Sequence, residues 1–289
     1  MDTEKCRVFL AAIDTGSISG AASKLGYTPS GVSRSISALE AETGFPLLER
    51  GRFGVIPTED AKSLMPIMRE LVSQERLYRD RASGIMKMEQ GSVTIGINYA
   101  AHFRQISGLL KRFEREFPKV ELRTMQGLSS ELCQALEDHR ADFVIASKRE
   151  GFDFIKLGED PMVACIPPDH PCCLEKRPCY PIEAFAKDPM IATYPNVETD
   201  YKRALKEHGI SPNIRYSSMN VYATYCMVEA GLGVFMSNRL ELEMYQGDAV
   251  LLPLDPPVIQ EIGIMHRGTE SLSIAAKKLL DMVVKELRS

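Results

Sequence analysis

Apolar positions in the first 45 residues recur at spacings of three and four, so the chain opens in helices. Cys6, Phe9, Leu10 and Ile13 share one face of a helix over residues 3–15, and Gly16 follows as a stop. Ser19 is the expected N-cap of a second, short helix that carries Ala21, Ala22 and Leu25 and ends at Gly26. Thr28 is a further N-cap, with Pro29 at the first helical position, where its missing N–H costs nothing. Val32, Ile36 and Leu39 mark the buried stripe of a third helix that stops at Gly44. Two helices joined by so short a turn form a helix-turn-helix, and the Ala21-Ala22 pair lets them approach closely. Two short strands then flank Gly51-Arg52-Phe53-Gly54, which predicts a hairpin with Arg50 and Arg52 at its tip.

Residues 59–89 read as one long helix. Leu64, Leu71, Tyr78 and Ile85 recur every seven residues, with Met68 and Ala82 between them. A sevenfold apolar seam bordered by Arg69, Glu70, Arg76 and Arg79 predicts pairing with a second helix, although Glu75 interrupts it and Pro66 is expected to kink its first turns. Docking of the seam on its own chain is the alternative. Strand and helix signals alternate from there: strand 92–97, helix 103–117, strand 120–124, helix 129–138 and strand 142–146. That βαβαβ order predicts a parallel sheet covered on both faces. After Pro161 the pattern restarts, with strands at 162–166, 190–192, 214–217 and 234–236 and helices at 201–208 and 222–229. A strand near 261–265 and a helix over 271–287 close the chain, and the fold class is α/β.

Composition narrows the function classes. The chain has 289 residues, 44% hydrophobic and 26% charged, which suits a globular protein of roughly two domains. Its longest apolar runs, such as residues 8–13, are far short of a membrane span, and the acidic start Met1-Asp2-Thr3-Glu4 is unlike a signal peptide. A cytoplasmic protein is expected. None of the seven cysteines forms a C-x-x-C pair; Cys165, Cys172, Cys173 and Cys179 are held open as a redox or metal group against a set of small half-buried residues. Gly231-Leu232-Gly233 lacks the third glycine of a dinucleotide fingerprint, and no hydrolase, zincin or P-loop spacing occurs. No catalytic residue, metal or cofactor is expected.

The net charge of −4 excludes a generally basic nucleic-acid binder, but it is unevenly distributed. Residues 1–89 carry equal numbers of acids and bases, so the whole deficit lies in the C-terminal region. The second helix of a helix-turn-helix lies in the major groove with its first residues at base edges. Here those residues are Thr28, Pro29, Ser30, Ser33, Arg34 and Ser37: short hydroxyls and one cation, with no acid between Gly26 and Ser37. Hydroxyls reach phosphates or bases, and Arg34 can pair bidentately with a guanine. A solvated face is the alternative, but a hairpin in this position, carrying Arg50 and Arg52, favours double-stranded DNA.

Residues 1–60 resemble the winged helix-turn-helix of LysR-type transcriptional regulators. Phe9, Gly16-Ser17, Ala21-Ala22, Leu25, Ser33, Ile36, Leu39-Glu40, Gly44, Leu47, Glu49-Arg50 and Thr58-Glu59 carry the resemblance. The chain departs from the family at Pro29-Ser30, where Gln-Pro is common, and at Leu48 and Pro57, which touches operator choice rather than fold. Gly91–Gly96, Phe117-Pro118, Ala141-Asp142-Phe143, Pro167–Pro171 and Glu229–Val234 extend it over the effector domain. The resemblance implies a bacterial regulator with a DNA-binding domain (1–58), a dimerising linker helix (59–89) and a bilobal, periplasmic-binding-protein-like effector domain (90–289). Lobe 1 is then about 90–161 and 266–289, and lobe 2 about 162–265. It also implies promoter DNA, a small-molecule effector and a homodimer or homotetramer, with RNA polymerase as a candidate further partner.

Ligands of open α/β sheets sit beyond the carboxyl ends of strands. Tyr99, His102, Thr124, Ser147, Tyr194, Asn196 and Asn220 fall there and are the expected effector contacts, with His102 and Lys148 hinting at a carboxylate ligand. His170 lies in the Pro-rich motif and reads as structural. Rivals from other classes are a solute-binding module without DNA affinity and an enzyme using the cleft, which no acid–base constellation supports. Thiol sensing is a rival within the family.

Overall fold

The computed structural model describes residues 2–51, 54–85 and 91–288. The chain begins with α1 (Thr3–Thr15), α2 (Ile18–Leu25) and α3 (Pro29–Thr43), followed by β1 (Leu48–Gly51) and β2 (Gly54–Pro57). Phe9, Ala12, Ala21, Val32, Leu39 and Leu47 are fully or almost fully buried in one core between them. Thr28 caps α3 by accepting from Gly31 N at 3.1 Å, with Pro29 in the first turn. The cap of α2 is Ser17 rather than Ser19: its hydroxyl accepts from Gly20 N at 2.9 Å. Gly16 already ends α1 in the left-handed region, so Ser17 alone is left between the two helices.

Two contacts hold the wing to the helices. Val55 N donates to Gly16 O at 3.0 Å, and Glu40 Oε1 on α3 accepts from the backbone N of Leu47 and Leu48 at 2.8 and 3.3 Å. Gly54 is at φ 124°, and a Cβ there would lie 2.2 Å from Gly16 O. Only glycine fits so close a backbone approach.

The long helix α4 (Glu59–Ile85) starts at Thr58, whose hydroxyl accepts from Ala61 N, and contains Pro66. The expected heptad seam divides. Ala61, Leu64, Met65, Met68 and Val72 pack on the DNA-binding domain's own core, while Tyr78 stands 74% exposed and Ile67 58% exposed. The side chain of Ile85 lies outside the described residues. A row of charges joins α4 to both neighbours: Arg69 pairs with Asp14 of α1 at 3.0 Å and reaches Asp138 at 3.7 Å, and Arg76 pairs with Asp142 at 2.7 Å.

The remaining elements are β3 (Gly91–Ile97), α5 (Ala100–Glu116), β4 (Val120–Gln126), α6 (Ser129–Glu137), β5 (Phe143–Ser147), β6 (Asp153–Ile166), α7 (Pro171–Leu174), β7 (Tyr180–Pro181), β8 (Met190–Thr193), α8 (Asp200–Glu207), β9 (Ile214–Ser218), α9 (Val221–Glu229), β10 (Phe235–Asn238), α10 (Arg239–Leu242), β11 (Val250–Asp255), β12 (Ile259–His266) and α11 (Ile274–Arg288). Sheet order runs β4-β3-β5-β12-β6-β11-β7, with β10 also on β6. β3 is parallel to β4 and β5, as the βαβαβ order predicts, but β12 and β6 run antiparallel and make the sheet mixed. One face packs α5 and α11 over Val93, Ile95 and Phe143; the other packs α6 over Val144 and Ala146.

β6 is one 14-residue strand. Its first part pairs with β12 in the first lobe, and its last residues, from Met162, pair with β10 and β11 in the second. Residues 153–160 were not expected as strand, because Pro161 read as a boundary; it is instead the point where the strand passes between lobes. β12 joins β5 from Ile262 onward, so the return crossing falls near residue 259 rather than 266. In the second lobe Tyr180, Phe185, Met190, Tyr201 and Met236 form a separate core, and β8 pairs in parallel with β9.

Replacing Gly54 with alanine should therefore lower the stability of the DNA-binding domain by about 2 kcal/mol, through steric overlap and backbone strain. Urea unfolding of the full chain, followed by circular dichroism, measures it; an unchanged first transition would refute the close packing of the wing on Gly16.

Candidate functional site

On α3, the side chains of Thr28, Pro29, Ser30, Arg34 and Ser37 are exposed on one face, and Ser33 is half-buried. The Thr28 hydroxyl is occupied as a cap and lies 3.2 Å from Ser30 Oγ. Among the described residues no ion pair engages Arg34. Arg50 belongs to β1, but its side chain, and Arg52 altogether, lie outside the described residues.

Between the lobes runs a narrow crevice, lined from the first lobe by Asn98, Tyr99, Ser129 and Arg149, and from the second by Thr193, Tyr194, Asp200, Met236 and Glu241. The first-lobe groups come from strand ends and helix starts: Asn98 and Tyr99 lie between β3 and α5, Ser129 opens α6, and Arg149 follows β5. They form a chain of hydrogen bonds. Asn98 Nδ2 donates to Ser129 Oγ at 2.7 Å, and Ser129 Oγ lies 2.9 Å from Ser147 Oγ. Ser147 donates to Asp200 Oδ2, and Tyr99 OH lies 3.4 Å from the same oxygen. Arg149 Nη2 donates to Asp200 Oδ1 at 2.7 Å.

Asp200 is the first residue of α8 in the second lobe, where the helix N-terminus favours an anion. Arg203, one turn on, lies 3.2 Å from it and donates to Gln260 Oε1 at 2.7 Å. Burial and then the Asp200 charge hold the Tyr99 phenol well above its usual range, so it stays a hydroxyl donor. Lys202 fixes the approach loop by donating to the carbonyls of Tyr194, Pro195 and Val197. Two further acids sit near the crevice, Glu241 in the second lobe and Asp160 on the first-lobe part of β6. Burial raises the Glu241 carboxyl and raises Asp160 to about 6.

The structure sorts the expected effector residues. Tyr99 and Tyr194 line the crevice, and the fully buried Ser147 stands directly behind it. His102 lies one turn into α5 and lines a separate hollow with Gln105, Leu157 and Asp160. Burial lowers its pKa to about 4, so it is uncharged at neutral pH and offers no cation to a carboxylate. Lys148 is likewise committed, 2.7 Å from Glu261. Thr124 is exposed on the sheet-edge strand β4, Asn196 is exposed beyond the crevice, and Asn220 caps α9 by accepting from Ala223 N at 2.9 Å. Arg149 and Asp200, a charged pair 2.7 Å apart in the crevice, are not among the residues the sequence suggested. Arg149 follows the end of β5 by two residues, so the strand-end rule that picked Lys148 could have found it.

His170 is structural: its ring caps α7 from Cys172 N and lies 3.2 Å from Asp188. Burial raises the Cys172 and Cys173 thiols and pushes Cys165 up to about 12, which disfavours the reactive thiolate. Among the described residues no group of three or more ligating side chains could hold a metal.

A winged helix-turn-helix joined by a long helix to a two-lobed domain with a crevice defines a DNA-binding regulator with a ligand-binding domain. Residues 3–62 match the family model described as bacterial regulatory helix-turn-helix protein, lysR family, and residues 87–288 match the LysR substrate binding domain. The chain belongs to the LysR family of transcriptional regulators. It is 25% identical to the uncharacterized HTH-type transcriptional regulator YvbU of Bacillus subtilis, over 99% of both chains. It is 26% identical to the regulator DgcR of a Pseudoalteromonas species, over 97% of this chain and 96% of that one. The fold is shared with a full-length OxyR variant from Pseudomonas aeruginosa (TM-score 0.71, 16% identity, 100% of this chain and 95% of that one). It is shared too with the LysR family regulator CbnR in complex with its target DNA (TM-score 0.58, 14% identity, 99% and 100%). As a family of regulators, the class is not one of enzymes.

A pH dependence follows from His102. Its ordinary value is 6.5 and its folded value about 4, so the unfolded chain binds the proton first as pH falls. The contribution of the neutral ring is complete above 6.5 and is lost as pH falls from there toward 4. His139 acts in the same direction, whereas Asp160, raised to about 6, acts in the opposite one. Between pH 7 and 4.5 the wild type should lose about 2 kcal/mol more stability than His102→Asn. Urea unfolding at the two pH values tests it, and equal losses would refute a neutral buried His102.

Proposed function

We propose that the protein binds promoter DNA as a homodimer or a dimer of dimers, holding two winged helices at successive major grooves with each wing against the backbone or the minor groove. A small-molecule effector in the crevice then changes the spacing of the two winged helices and so the bend of the DNA. The observation that carries this reading is the exposed, hydroxyl-rich start of α3, without an acid from Gly26 to Ser37, on which Arg34 is in no ion pair among the described residues. CbnR, of the same fold, has been solved with its target DNA, which supports a similar use here.

Ile67, the half-buried Leu71 and Tyr78 leave an apolar stripe on α4 for a second copy of the helix. We take 1–58 as the DNA-binding domain, 59–89 as the linker and 90–289 as the effector domain. Among the described residues no helix is long and apolar enough to cross a membrane, consistent with work on DNA in the cytoplasm, where RNA polymerase is a further partner. The guanidinium and hydroxyls of the first lobe suit a carboxylate effector.

Footprinting of the promoter beside its own gene should show a protected inverted repeat; folded protein that protects no such repeat would sink the reading. In fluorescence anisotropy, Arg34→Ala should weaken operator binding by about 1–3 kcal/mol if it reads a base, with little change on unrelated DNA. Unchanged operator affinity would remove Arg34 from the interface.

A further inference from the structure

We propose that Asp200 is an internal occupant of an oxyanion site presented by the first lobe, and that a carboxylate effector takes its place to part the lobes. The proposal deepens, and rests on, the reading of the crevice as the effector site. Three donors of the first lobe converge on this one carboxylate of the second. Oδ2 accepts from Ser147 and faces Tyr99 OH at 3.4 Å, while Oδ1 accepts from Arg149 at 2.7 Å. The site is built: Tyr99 is 3% exposed and Ser147 fully buried, with Ser129 and Asn98 orienting the serine hydroxyl from behind.

Among the described residues the only acid paired with Arg149 is Asp200 itself. Without that carboxylate, the first lobe presents a guanidinium and two hydroxyls to the crevice. A planar carboxylate fits this set, with one oxygen for the guanidinium and one for the hydroxyls. The second lobe can release its half of the pair. Asp200 would keep the N-terminus of α8 and Arg203, 3.2 Å away on the same helix. Ser130 Oγ also donates across the crevice to Glu198 O at 2.9 Å, two residues before Asp200, while Arg203 donates to Gln260 and Leu240 N to Asp160 further along the crossing.

The opposite wall also constrains the ligand. Asp200 and Glu241 face the crevice from the second lobe, so a second carboxylate on the effector would meet acids rather than donors there. The geometry therefore favours a monocarboxylate whose remainder is neutral or cationic.

The test uses the purified full-length protein and sodium formate, which replaces the carboxylate that Asp200→Ala removes. With sodium chloride as the ionic-strength control, the melting temperature of Asp200→Ala should rise at formate concentrations about tenfold lower than any response of the wild type. The added Arg149→Ala substitution should abolish that response. Equal formate responses in all three proteins, or none in any, would overturn the proposal. Should Asp200→Ala fail to fold, Asp200→Asn keeps the side chain's shape and decides the matter by hydrogen exchange. Amides of residues 143–149 and 193–201 should exchange about tenfold faster than in the wild type, and unchanged protection would overturn the clasp. Neither measurement involves DNA or the natural effector. A failed formate response with intact operator binding refutes this proposal alone; loss of operator binding with the formate response intact refutes the regulator reading alone.

Discussion

A single strand, β6, sets the terms for the effector domain. It passes from the sheet of the first lobe into that of the second without interruption, and β12 returns beside it. Each lobe can then complete its own core while the two remain tied by a pair of adjacent strands, and the crevice opens beside the crossing. Strand ends and helix starts from both lobes face each other there, which is why the polar groups of this half of the molecule gather in it. The bonds of Asp200 across the crevice are the counterpart of that constraint: the strands tie the lobes on one side, and one carboxylate joins them on the other.

The linker helix serves two neighbours within the chain. Its first turns complete the core of the DNA-binding domain through Ala61 and Met68, while Ile67 and Tyr78 stand exposed along it. Its charged side meets the first lobe, where the buried Asp142 accepts from both Arg76 and Thr94 N at 2.7 and 2.8 Å. Breaking one partner of such a pair is far more costly than losing a surface ion pair, because the other is left buried with its charge. Arg69, 8% exposed and held between Asp14 and Asp138, joins the helix to domains on either side. A change in the first lobe thus has a direct electrostatic route to the helix that carries the winged domain.

Local patterns revealed most of the fold. Helix periodicity, glycine stops and the Thr28-Pro29 start located the helix-turn-helix because those signals depend on residues a few positions apart. The α2 cap was displaced by two residues, since Ser17 and Ser19 have equal capping chemistry and only the left-handed Gly16 selects between them. Strand alternation located β3, β4 and β5, but not the first half of β6, whose boundary proline lies inside the strand. The crevice was legible in part. Tyr99 and Ser147 follow from the strand-end rule, whereas the partner that engages them is 53 residues beyond Ser147 and reads locally as an ordinary acid at a helix start.

By itself the sequence determined what depends on neighbours along the chain: the order of elements, the capped recognition helix with its hydroxyls and Arg34, and the change from winged domain to long helix to α/β lobes. Tertiary structure decided what depends on distance through space. It assigned half of the heptad seam to the protein's own core, and it made His102 a neutral buried ring rather than a ligand cation. It also brought Asp200 to Tyr99, Ser147 and Arg149. Desolvation and charge pairing act between groups that only folding brings together, so no spacing along the chain records them.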